Sequence, residues 1–221
     1  MTEFLTPALR TLLTDAFWET GAMVGLSALI AVALGLPLAL LLLVTSPGHI
    51  AAAPAVNRPL GLVVNAVRSV PFIILMVAIV PFTRLVAGSS IGTAAAVVPL
   101  SIAATAFIAR LFETALREVD RGLIEAAQAM GATRLQIVRK VLVPEAGPGL
   151  IAAVTVTLVS LVGYSAMAGA VGGGGLGDLG IRFGYQRFMP EVMAVVVVLL
   201  ILVVQGLQTL GDVLVRRFSR R

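Results

Sequence analysis

The chain has 221 residues, of which 59% are hydrophobic and only 12% charged, about half the ~25% charged share of soluble domains. With a mean hydropathy of +1.05, it reads as a single-domain integral membrane protein. It has no cysteine and one histidine, His49, which excludes disulfides, thiol nucleophiles, thiolate metal sites and multi-histidine metal centres. The net charge of +5 suits basic residues flanking the cytoplasmic ends of membrane spans. No basic face carries the interleaved aromatics that nucleic-acid binding needs.

Residues 1–20 form a polar lead with Glu3, Arg10, Asp15 and Glu19, and Trp18 stands where an interfacial aromatic is expected. The lead lacks a basic stretch followed by an apolar core, so no cleavable signal is expected. Residues 21–44 are uncharged and long enough to cross the hydrocarbon core, which takes ~20 helical residues, with Pro37 placed to kink the helix. Residues 45–57 are a turn-rich loop in which His49 reads as a solvated residue rather than a ligand. A second span is placed at 60–82. Its first part is amphipathic, with Leu60, Val63, Val64 and Val67 opposite Asn57, Asn65 and Arg68, so 58–68 either lies at the cytoplasmic interface or forms the first turns of the span. Arg68 is the one basic residue that can sit at membrane depth. It is either a functional residue of the path or a long side chain reaching for the interface. Residues 88–92 are a tight turn. The third span is placed at 91–109, where Ser101, Thr105 and Ala109 make a small-residue stripe for close helix approach, and Arg110 is expected to end it.

The longest polar interruption follows at 113–148, and its core at 120–148 reads as two short helices. Asp120 caps the first by accepting from first-turn amides, and Gly131 ends it in the left-handed conformation. Thr133 and Gln136 have capping-box spacing for the second, which Pro144 is expected to end near Val143. Leu123, Ala127 and Met130 fall at i, i+4 and i+7 as a narrow apolar stripe, a form suited to a partner's groove.

The fourth span is placed at 150–170. Thr157, Ser160, Tyr164 and Met167 share one face of it. That face either lines a transport path, with Met167 near the outer mouth as part of a gate, or bonds helix to helix through its hydroxyls. Residues 171–190, with glycines at 172–175, are expected to form an irregular outer loop. The fifth span is placed at 192–210. Basic residues gather in the 110–140 stretch (Arg110, Arg117, Arg121, Arg134, Arg139, Lys140) and in the tail (Arg216, Arg217, Arg220, Arg221), which puts both in the cytoplasm. With five spans the amino terminus is then outside. The fold class is all-α, polytopic, with a cytoplasmic helix at 121–130. No G-x-x-x-x-G-K-[ST] loop occurs, so the chain itself is not expected to bind ATP.

The order Glu125-Ala126-Ala127, Gly131, then Val141-x-Val143-Pro144 resembles the EAA loop of ABC-importer permeases, with Val143 where the family usually has Leu. The stretches from Arg68 to Leu75 (RSVPFIIL), from Pro81 to Arg84 (PFTR) and from Leu161 to Met167 (LVGYSAM) resemble the methionine-import branch. The resemblance implies a non-enzymatic permease in the bacterial inner membrane. It would pair as a homodimer and dock a cytoplasmic ABC ATPase homodimer, which holds the ATP and Mg. An external methionine-binding lipoprotein would supply it. The resemblance makes Leu123, Glu125, Ala126, Ala127, Met130, Gly131 and Pro144 the coupling residues. The alternative within the class is a permease for another amino acid or small polar solute. A secondary transporter would need acids at mid-membrane, and an intramembrane protease using Ser165 would need a base beside it. The sequence places neither.

Overall fold

The computed structural model describes residues 7–219. Glu3 of the polar lead and Arg220 and Arg221 of the basic tail lie outside the described residues. Four helices are long and apolar enough to cross a membrane, and a bent pair of shorter helices makes a fifth crossing if counted as one span.

The first helix, α1 (Pro7–Val44), has 38 residues and takes in most of the expected polar lead. At 1.5 Å per residue α1 is about 57 Å long, well beyond the ~30 Å hydrocarbon core. Its acidic stretch stays helical because Glu19 and Thr20 have partners at Gly175 and Leu176, described below. Pro37 lies inside the helix.

The expected second span at 60–82 is not one helix. It is α2 (Pro54–Ser69), α3 (Phe72–Ala78) and α4 (Val80–Ala87), with a 105° bend between α2 and α3. Val70 is extended, and Pro71 follows with no N–H to continue the ladder. The turn at 88–92 forms as expected, with Gly88 left-handed at φ 73°.

α5 (Thr93–Arg117) runs eight residues past Ala109. Arg110 does not end it, because Arg110 and Arg117 both find a carboxylate in Glu113. The Ser101–Thr105–Ala109 stripe does bring helices together. A methyl added at Gly35 of α1 would overlap the Ile108 side chain and would touch the Thr105 carbonyl and Ala109 amide of α5 at ordinary contact distance.

Beyond α5 come α6 (Arg121–Ala129) and α7 (Arg134–Ile137). Pro144 does not end the second of these. Val138–Leu142 form a π turn, Val143 keeps α dihedrals, and α8 (Val143–Glu145) leads through Ala146 into α9 (Gly147–Ala168). The wider π turn relieves the clash between a proline ring and the preceding carbonyls.

The expected irregular loop at 171–190 is irregular only in part. Val171 and Gly172 leave helical dihedrals and Gly172, Gly174 and Gly175 take positive φ, as the glycine run leads one to expect, while α10 (Gly175–Leu179) and a π turn at Gly180–Tyr185 fold back on the bundle. Its glycines serve close approach, since a methyl at Gly177 would overlap the Ala166 backbone and one at Gly169 the Asp178 amide. Gly175 N donates to Glu19 Oε2 at 2.6 Å and Leu176 N to Thr20 Oγ1 at 2.9 Å. Finally α11 (Pro190–Ser219) exceeds the expected 192–210 at both ends.

One core joins α1, α3, α5, α6 and α9 and continues into the 137–146 segment. It includes Met23, Leu100, Ile108, Phe112 and Leu161 at membrane level, and Ile124, Ala127, Ile137 and Leu142 beyond it. Two different forces hold it. Among the spans lipid competes with apolar contacts, so close packing of small residues decides. Ile124, Ile137 and Leu142 leave water instead, which stabilises by roughly 1.5–3 kcal/mol per large side chain.

Candidate coupling loop and path-facing surface

α6 is built by local chemistry. Asp120 Oδ1 accepts from Gly122 N at 2.6 Å. At the other end Gly131 has φ 80°, its amide donates to Gln128 O at 2.9 Å, and the Ala132 amide donates to Ala127 O at 3.0 Å. These are the paired bonds of a Schellman cap. Thr133 and Gln136 form both bonds of a capping box.

The expected Leu123–Ala127–Met130 stripe splits. Ala127 is 4% exposed and, with Ile124, packs into the core. Leu123 is 44% exposed and Met130 82% exposed, and exposed Ala126 lies with them. At 100° per residue, Ile124 and Ala127 share one side, while Leu123, Ala126 and Met130 share another. So the helix has an apolar inner face already satisfied and an apolar outer strip that the described residues leave exposed. Gly131 and Pro144 are also exposed.

Exposed Glu125 has no ion-pair partner among the described residues. It is the fifth residue of α6, past the first turn where a helix dipole acts on charge. It lines a shallow cavity of about 300 Å³ with His49, Arg121, Ile124 and Gln128. His49 is therefore not a solvated loop residue. It is half-buried against α6 and its Nδ1 has no partner. Burial, then the charges of Arg117 and Arg121, push its pKa below the ordinary 6.5.

On α9 the four expected path residues separate. Thr157 is 1% exposed and donates to Ala153 O at 2.8 Å. A hydroxyl in apolar surroundings satisfies itself on the preceding turn, and Thr157 is turned into the protein. Ser160 is half-buried and donates to Val156 O at 2.9 Å. Tyr164 stacks on Phe72 of α3, ring centroids 4.9 Å apart. Met167 is 47% exposed, on one strip with exposed Val156 and Gly163. Arg68 is exposed in the last turn of α2, just before the bend, where a cation suits the helix dipole. It is not joined to the α9 group.

Sequence reasoning missed Arg110, Asn65 and Gly61, whose bonds tie α2 to α5. Arg110 Nε donates to Asn65 Oδ1 at 3.1 Å and Nη2 to Gly61 O at 3.0 Å. The R-x-x-E-x-x-x-R spacing from Arg110 through Glu113 to Arg117 was the available signal, since i+3 and i+4 charges meet on a helix.

Residues 48–221 match the family described as "Binding-protein-dependent transport system inner membrane component". The probable D-methionine transport system permease of Vibrio cholerae is 56% identical over 95% of this chain and 93% of its own length. The D-methionine transport system permease of Escherichia coli K12 is 55% identical over 72% and 73%. A solved structure of the MetNI methionine ABC transporter, in an inward-facing conformation, superimposes with a TM-score of 0.95 and 51% identity, covering 97% of this chain and 99% of that one. The unpartnered apolar strip on α6 is thus found in a membrane protein of known family: this chain belongs to the inner membrane components of binding-protein-dependent transport systems.

Proposed function

We propose that the chain is the membrane permease of an ATP-driven methionine importer. It pairs as a homodimer whose path lies at the symmetry axis, docks two copies of a cytoplasmic ATPase and receives substrate from an external methionine-binding lipoprotein. ATP and Mg belong to the ATPase. The carboxyl terminus and α6 are cytoplasmic and the amino terminus is outside, as the basic residues favour.

The observation that carries this is the two-sided α6. Its inner face, Ile124 and Ala127, belongs to the same core as α5 and α9, and its outer strip of Leu123, Ala126 and Met130 is left exposed by the described residues. A groove of the ATPase covers that strip, and Glu125 meets basic groups beside it. When ATP draws the two ATPases together, α6 moves with them. Because the interior is close-packed, the displacement passes to α5 and α9 rather than being absorbed. Met167, with Ser160 and Tyr164 on its flank and Arg68 at the α2 bend, faces the path and changes its opening.

Uptake of labelled L-methionine into vesicles tests this, using the chain with its own ATPase and receptor, ATP on the ATPase side, and unlabelled amino acids as competitors. Uptake that needs ATP and is blocked only by methionine-like solutes is the expected result. Receptor-stimulated hydrolysis without methionine uptake moves the substrate to another amino acid or small polar solute. Failure to bind the ATPase sinks the reading.

A further inference from the structure

We infer that Arg110 is a positioning residue that makes the broken span α2–α3 move as one body with the coupling helix. This rests on the coupling role proposed for α6. Without a clamp, α2 would be a weak follower. It is amphipathic, mostly exposed, and Val64 is its one buried residue, set against Leu42 of α1 and Ala106 of α5.

Arg110 removes that freedom. Its Nη1 pairs with Glu113 Oε2 at 2.6 Å, its Nε holds Asn65 Oδ1 and its Nη2 holds Gly61 O. The partner Glu113 is only 6% exposed and also takes Arg117 Nη2 at 2.7 Å. A guanidinium engaged at all three nitrogens is fixed in plane as well as in place, which a lysine ammonium cannot reproduce. Gly61 suits the contact, because a Cβ there would stand 3.2 Å from Arg110 Nη2. On the other side, Asn57 Nδ2 ties the start of α2 to Leu42 O at 2.6 Å and to Thr45 Oγ1 at 3.1 Å.

The consequence lies past the bend. α2 turns through 105° into α3, and Phe72 at the start of α3 stacks on Tyr164 of α9. Coupling-helix motion therefore reaches Tyr164 by two routes, directly through α9 and around through α5, Arg110, α2 and α3. If only the first worked, α3 would lag behind α9 and the stacked pair would shear.

The test uses the complete complex in proteoliposomes. Cysteines replace the exposed residues Ala66 on α2 and Gln128 on α6. They are spin-labelled in chains diluted with unlabelled ones, so that the distance read is within one chain. The parent should keep that distance when ATP with vanadate is added. Arg110→Gln, and Asn65→Leu, which leaves the Arg110–Glu113 pair intact, should let it change with nucleotide. Uptake should fall about tenfold while ATP hydrolysis stays within about twofold, with Arg110→Lys no better than Arg110→Gln. A nucleotide-dependent distance in the parent overturns the inference, as does parental uptake in both variants, or loss of uptake and hydrolysis together. Failure of the underlying coupling reading shows separately, as a parent complex whose uptake does not respond to ATP.

Discussion

At the scale of single residues, Gly131 carries more than its lack of contacts suggests. Beyond its two chain neighbours, nothing among the described residues lies within 4 Å of where its Cβ would be, yet its φ is +80°. Substitution therefore acts through backbone conformation. Gly131→Ala should destabilise the α6 cap by about 1 kcal/mol, and Gly131→Asn by less, because asparagine tolerates the left-handed region. Faster amide exchange across 121–130 would report it, and equal exchange in all three proteins would refute it. Gly131→Trp keeps the strain and adds bulk beside the exposed Met130. It should abolish uptake, and normal uptake with normal hydrolysis would refute the docking role of this corner.

His49 makes the second residue-scale prediction. Its pKa lies below the ordinary 6.5, so the folded state binds its proton less readily than the unfolded one. The contact between the 45–53 turn and α6 is then at full strength above that value and weakens as pH falls below it. Protonation would place a third cation beside Arg117 and Arg121, with Glu125 the acid in the same cavity. Amide protection across 121–130, after allowance for the slower intrinsic exchange at lower pH, should fall as pH drops below about 6.5, and His49→Gln should flatten that response. A parent as flat as the variant would refute it. The caps at Asp120, Gly131 and Thr133 were legible in the sequence because their partners lie within a few residues. The setting of His49 was not, because Arg121 and Glu125 are far along the chain.

At the scale of elements, apolar runs located the crossings but not their ends. α1 and α5 outrun their apolar stretches because their charged groups find protein partners, Glu19 on Gly175 and Arg110 with Arg117 on Glu113. The glycine run at 172–175 is irregular as expected, with positive φ at Gly172, Gly174 and Gly175. The helical turns after it were not legible, because Gly169 and Gly177 let this hairpin approach other backbone, a tertiary reason that composition does not reveal. Gly177→Val should therefore be costly, since its side chain meets the Ala166 backbone. Overpacking of this kind costs about 1–3 kcal/mol and should appear as a lower melting temperature in detergent. Gly163→Ala, with nothing within 4 Å of the added methyl, serves as the silent partner. Equal melting of the two variants would mean the hairpin is not packed as described.

At the scale of the whole molecule, one copy leaves a strip of α9 uncovered by the described residues. α9 buries Thr157 and Leu161 and exposes Val156, Gly163 and Met167, so one side is core and the other meets something beyond this chain. Lipid and a second copy make different demands. Lipid tolerates any apolar strip, whereas a path between two copies admits water. The lack of native cysteine makes the distinction measurable without background. Met167→Cys and Gly163→Cys should react with a water-soluble maleimide and cross-link one copy to another through a short bis-thiol reagent, with yields that change when ATP and vanadate are present. Thr157→Cys should do neither, because its position is sealed within the protein. Reaction of Met167→Cys only with a lipid-soluble reagent would place that strip against the bilayer and remove Met167 from the path. Equal labelling of Thr157→Cys and Met167→Cys would mean that α9 is rotated from the orientation described, and the division of its residues between core and path would fall with it.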